Sequence, residues 1–306
     1  MKPRKFQVAA PLAHAAIAAV AALTLAACGS TGATADTKDG NALAVVASFY
    51  PLQVATQQIG GDHVAVTNLT KPGAEPHDVE LTPRDVATVS KAKVVVYELG
   101  LQEAVDQAVE SQGGDRGLDV APAANLDLAT ASGTKDPHFW LDPQRYAGVA
   151  KVISARLSSV DPANKADYEK NAKSFEDKLA TLGQEFATGL ANCQRKDIVT
   201  SHAAFGYLAE AFGMRQIAVV GLTPDEEPKP AAIAAIAAYA KTHGVTTIYA
   251  ETLVSPAIAQ AVATEAGATM ATLDPLEGLT DQSRGKDYFA VMRSNLKALQ
   301  AGQGCT

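Results

Sequence analysis

The 306-residue chain is short of positive charge: 26 Lys and Arg stand against 33 Asp and Glu, a formal net charge of −7. No basic stripe relieves that balance, which excludes a nucleic-acid partner. Long apolar runs are missing beyond residue 27, where nothing approaches the roughly 18 consecutive apolar residues that a spanning helix needs. No repeat of solenoid length occurs, which excludes a stacked-repeat architecture. Cysteine is scarce at three residues, tryptophan occurs once and histidine six times. What remains is an ordinary globular composition, 47% hydrophobic and 19% charged, in a chain long enough for two domains.

The one long apolar run lies at the start. Lys2, Arg4 and Lys5 precede an Ala-rich stretch from 9 to 27 that ends in "LAAC", Leu25 to Cys28. A basic segment, an apolar segment and small residues before a cysteine resemble a bacterial lipobox. Residues 1–27 are expected to be a lipoprotein signal peptide. Cys28 is then the acylated residue that holds the protein at a membrane the mature chain does not cross. Removing 1–27 takes away three positive charges and no acids, so −7 becomes −10. Residues 28–42 contain "GSTGATADTKDGN", small and polar, and read as a flexible tether. The expected location is extracytoplasmic, lipid-anchored to the cell membrane. Disulfides persist outside the cytosol, so Cys193 and Cys305 are expected to be bridged. By the chain-entropy account so long a loop contributes roughly 4–5 kcal/mol.

From residue 43 onward, apolar strand-like runs alternate with helical ones: "ALAVVASF", "YPLQVATQQIGG", "HVAVTNLT", "LTPRDVATVSKA", "KVVVYEL". Such alternation implies a parallel sheet with helices on both faces. The first α/β lobe is expected over 43–147 and a second over 193–306. Between them, 148–192 reads as a helical linker. From Asp161-Pro162 to about Ala191 its apolar residues fall at Tyr168, Ala172, Phe175, Leu179, Leu182, Phe186 and Leu190, close to a helical period. About thirty such residues span roughly 45 Å. A single rigid helix joining two lobes is stiffer than a loop and resists large hinge closure.

Three histidines sit at chain reversals after strand-like segments, where parallel sheets present ligands. They are His77 in "KPGAEPHDVE", His138 in "KDPHFWLDP" and His202 after "DIVTS". His63 and His243 have adequate structural roles, in a turn and at a helix end. Three imidazoles bring no negative charge, so a divalent ion favours an added carboxylate. Spacing leaves both Glu251 in "IYAETLVSP" and Asp274 in "ATLDPLEG" open for it. Three nitrogens and one carboxylate suit tetrahedral Zn²⁺, with Mn²⁺ possible and Cu²⁺ not excluded. The two Asp-Pro pairs around His138 are expected to stiffen an extended segment, with Trp140 on the side of His138.

"PGAEPHDVELTP", "DPHFWLDP", "VTSHAAFGYLAEAFG" and "LDPLEG", in this order after a lipobox, resemble the zinc/manganese-type solute-binding lipoproteins of ABC transporters, the ZnuA/TroA-like group. The resemblance runs from about residue 43 to 302. It implies His77, His138, His202 and Asp274 as metal ligands, with Glu251 behind an imidazole; Asp142 and Asp78 are expected in supporting positions around them. A histidine at 202 favours zinc over manganese. The implied role is not enzymatic: a monomer that captures Zn²⁺ between lobes and passes it to a membrane permease. A manganese-specific protein, a surface adhesin and a zinc hydrolase using Glu251 as base are the competing readings. The His-rich loop that many zinc members carry before the second ligand is absent, since that region reads "NLDLATASGTKDP".

Overall fold

Successive residues of the first strands face different layers, and that alternation builds the architecture. The computed structural model describes residues 42–131 and 133–306. The signal peptide, Cys28 and the tether up to residue 41 lie outside the described residues. In β1 (Leu43–Ala47), Val45 and Ala47 enter an inner core while Val46 faces an outer one. Helix α1 (Tyr50–Gly60) and β2 (Val64–Asn68) follow, then α2 (Pro83–Lys91). Thr82 starts α2 with a capping box shared with Asp85 and a proline in its first turn. In β3 (Val94–Tyr97), Val94 and Val96 turn inward and Val95 outward. Short α3 (Glu103–Ala108), β4 (Gly117–Asp119) and α4 (Ala121–Ala124) close the sheet. Its four strands are parallel in the order β2-β1-β3-β4. Both faces are covered, which is why these strands read as unbroken apolar runs.

Two long helices come next, α5 (Pro143–Val160) and α6 (Lys165–Leu190). A boundary between lobe and linker was expected at 147; α5 instead passes through that point unbroken. The long helix is 26 residues, about 39 Å at 1.5 Å per residue, because a separate 3-10 turn takes up Pro162–Asn164. Its buried face is the predicted one, from Tyr168 to Leu190. It packs on α1 and α5, and also on the last helix of the second lobe, Tyr288–Gln303.

The second lobe repeats the topology. It runs β5 (Asp197–Thr200), α7 (Gly206–Ala211), β6 (Arg215–Ala218), α8 (Pro230–Thr242), β7 (Thr247–Ala250), α9 (Ala257–Ala266), β8 (Thr269–Thr272) and α10 (Tyr288–Gln303). Its parallel order is β6-β5-β7-β8. Each lobe keeps its own outer cluster, around Val46 and Val95 in one and Val199 and Ile248 in the other. The inner core is common to both: Phe49, Trp140 and Phe175 belong to the same buried cluster as Tyr207, Tyr249 and Tyr288. The described residues form one compact unit. A disulfide joins Cys193, after α6, to Cys305, after α10. No helix among the described residues is long and apolar enough to cross a membrane.

Candidate metal centre

In each sheet the chain order reverses beside the strand entered first, and the loops leaving the carboxyl ends of such strands form a crevice. His202 leaves β5 and Glu251 leaves β7, on either side of the second sheet's reversal. His77 comes from the loop after β2 and His138 from the segment between α4 and α5. A fourth group, Glu277, arrives from the loop between β8 and α10. His77 Nε2 stands 3.3 Å from His138 Nε2. Glu277 Oε1 lies 3.5, 3.1 and 3.3 Å from the Nε2 atoms of His77, His138 and His202. Four donor atoms, one from each residue, lie within 4.8 Å of one another. A tetrahedral ion with arms of about 2.0–2.1 Å needs ligand atoms about 3.3–3.4 Å apart. The four separations above, 3.1–3.5 Å, lie close to that spacing, and the remaining pairs stay within 4.8 Å. His202 Nε2, one of the four donor atoms, is buried without a hydrogen-bond partner, as is the other oxygen of Glu277.

Carboxylates behind two of the rings decide which nitrogen faces inward. Asp136 Oδ1 accepts from the backbone N–H of His138 at 2.9 Å and from its Nδ1 at 2.8 Å. Glu251 does the same for His202, its Oε1 3.1 Å from the backbone N and its Oε2 2.6 Å from Nδ1. With Nδ1 donating, Nε2 of each neutral ring presents a lone pair to the centre. Burial works against a charged His202, yet the neighbouring Glu251 and Glu277 prevail and push it up to about 10. His138 is raised for the same reason, by Asp136 and Glu277 against its burial. Burial would raise Glu277, but the three imidazoles around its Oε1 hold it well below the usual carboxylate range. Glu75 moves the other way, to about 9, through burial and the charge of Glu277.

The structure places Glu277, and not Asp274, with the three histidines. Asp274 Oδ1 accepts from Leu276 N at 2.8 Å and Oδ2 from Ser283 Oγ at 2.9 Å, so the carboxylate expected as a ligand is committed to its own turn. Leu276 then adopts a left-handed φ of 59°, costing about 1–2 kcal/mol, and the reversal delivers Glu277 to the cage. Asp142 likewise serves backbone: its Oδ1 caps α5 through Gln144 N at 2.8 Å. Asp78 is exposed, and its carboxylate lies beside that of Asp225 of the second lobe, which it raises. The expected extended path after His138 is instead a 3-10 turn over Phe139–Leu141. Trp140 is fully buried there, its ring centre 5.3 Å from that of His138 and its Nε1 donating to Pro275 O at 2.7 Å. His63 pairs with Asp167 and His243 stacks on Tyr239, both remote from the cage.

Sequence reasoning missed Glu277, Asp136 and Glu75. A signal existed for the first two. At Asp136, Asp142 and Asp274, each followed by proline, an oxygen accepts the N–H two residues on, the Asx turn that Asp adopts readily. An Asp-Pro aspartate is thereby spoken for, and the free acid in "LDPLEG" is the glutamate.

Residues 45–302 match the family described as ZnuA, zinc-uptake complex component A, periplasmic. The chain belongs to this family. It is 37% identical over 279 residues to the high-affinity zinc uptake system protein ZnuA of Bacillus subtilis, covering 85% of this chain and 88% of the relative. The zinc-binding lipoprotein AdcA of Streptococcus pneumoniae is 35% identical over 276 residues; the chain spans only 55% of its length. The Zn(II)-bound ZnuA-like domain of that AdcA superposes with a TM-score of 0.73 at 35% identity, covering 86% of this chain and 99% of the domain. A laminin-binding protein of Streptococcus agalactiae, described as an adhesin with metal-transporting activity, has a TM-score of 0.75 at 31% identity, over 85% of this chain and 99% of that one. The ZnuA-family fold is thus shared by zinc-binding and adhesive relatives.

Proposed function

We propose that this protein is the extracytoplasmic zinc-capturing component of an ABC transporter, holding Zn²⁺ by His77, His138, His202 and Glu277 and delivering it to the membrane permease. The observation that carries the reading is the cage itself: three Nε2 atoms and one carboxylate oxygen within 4.8 Å of one another, two of the rings oriented by buried carboxylates. Membership of a zinc-uptake family and the zinc-bound AdcA domain support it. The lipobox-like "LAAC" and the lipoprotein name of the pneumococcal relative support an acyl anchor at Cys28.

A hydrolase would need an unengaged base beside a metal-bound water. Glu251, the candidate base, spends both oxygens on His202, and four protein ligands complete a tetrahedron. Capture rather than turnover is what this arrangement does. Native mass spectrometry and elemental analysis of the soluble protein, purified without added metal, test the reading. One zinc per chain is expected, lost in His138→Ala and in Glu277→Ala. Manganese in place of zinc would move the function to the other ion, and full zinc occupancy in either variant would remove that residue from the cage.

A further inference from the structure

His138 belongs by sequence to the first lobe, yet the segment that carries it is fastened to the second. Tyr207 Oη, on α7, donates to Asp136 O at 3.1 Å. Trp140 Nε1 donates to Pro275 O at 2.7 Å and Tyr288 Oη to Trp140 O at 2.6 Å. Gly206, the first residue of α7, also packs against this segment. A Cβ added there would stand 2.5 Å from Asp136 Oδ2 and 3.2 Å from Leu128 Cδ1. Gly206 is not among the residues with positive φ, so backbone conformation does not require glycine. Alanine is the better helix former. Space for the Asp136 carboxylate is what remains to explain the residue.

That carboxylate has little freedom to give way. Its other oxygen already holds both the backbone N–H and Nδ1 of His138, and Asp136 is 5% exposed. Displacing one oxygen rotates the other and turns the ring whose Nε2 faces the cage.

We propose that Gly206 and Tyr207 of the second lobe are positioning residues for His138: they hold Asp136 in place and through it set the zinc affinity of a ligand on the first lobe. This rests on the zinc-site reading above. It adds that the contact between lobes at α7 is itself part of the site, since separating α7 from Asp136 loosens a ligand that Asp136 holds. Outer partners of metal-bound histidines act on affinity by about 10–100-fold.

The test is a double-mutant cycle read by competition for Zn²⁺ against a chromophoric chelator. It uses the wild type, Gly206→Ala, Asp136→Ala and the double variant, each also melted without metal to verify folding. Gly206→Ala is expected to weaken zinc binding about 10-fold in the wild-type background and less than about 2-fold once Asp136 is alanine. Equal losses in both backgrounds, or no loss in the first, overturn the proposal. Tyr207→Phe keeps the volume and removes one hydroxyl; a loss of about threefold is expected. Should Gly206→Ala fail to fold, an unchanged affinity in Tyr207→Phe overturns the proposal alone. A wild type that takes no zinc sinks the zinc-site reading instead, so the two failures are distinguishable.

Discussion

Glu277 and Asp274 lie three residues apart and do different work. Glu277 lends its Oε1 to three imidazoles, whereas Asp274 closes the turn that presents it. Glu277→Ala should therefore weaken zinc by more than the roughly 10–100-fold that loss of an outer partner costs. Asp274→Asn keeps an acceptor for Leu276 N and should stay within about tenfold of wild type, in the same chelator competition. The reverse order would return the ligand role to Asp274. Protonation follows from the same contacts. His202, pushed up to about 10 by Glu251 and Glu277 against its burial, carries a proton at pH 7 that zinc must displace. Proton and metal compete for the raised group, so affinity keeps rising with pH above 6.5 instead of levelling there. The slope is about tenfold per pH unit for each proton released. Calorimetry in buffers of different ionisation enthalpy should count at least one proton released at pH 7; none released contradicts the His202 assignment. The histidines were legible in the sequence because they are few and each follows a strand-like run. The choice of carboxylate was not, because it depends on which oxygen a turn has already taken.

At the scale of elements, helix α6 shows what periodicity can and cannot tell. All seven of its buried positions, from Tyr168 to Leu190, follow from the spacing of apolar residues, since one helix face must meet a core. Its start does not follow, because Asp161-Pro162 begins a 3-10 turn before the helix proper. The short pieces α3, β4 and α4 escape for a related reason: three to six residues hold too little period to read. Leu179 is fully buried on α6, away from the cage. Leu179→Ala should cost about 2–5 kcal/mol of stability in denaturant unfolding while leaving zinc stoichiometry at one. Loss of zinc in a folded Leu179→Ala protein would show that α6 governs the site directly.

For the whole molecule, the repeated order of the two sheets was foreshadowed by the alternation of strands and helices, but their common core was not. Phe49, Phe175, Tyr207 and Tyr288 meet only in three dimensions. A core continuous through both lobes, with α6 packed on elements of each, resists the hinge opening that a flexible linker permits. Small-angle scattering of zinc-loaded and metal-free protein should give the same radius of gyration within a few per cent; a clear expansion without metal would contradict a rigid connection. The central claim, a four-ligand cage of three imidazoles and Glu277, is tested most directly by zinc K-edge X-ray absorption on the loaded protein. The account predicts four nitrogen or oxygen neighbours at about 2.0–2.1 Å, with imidazole scattering from three rings that drops to two when His138→Ala, which purifies without zinc, is loaded with excess zinc. A six-coordinate shell, a sulfur neighbour, or imidazole scattering unchanged in that variant would contradict it.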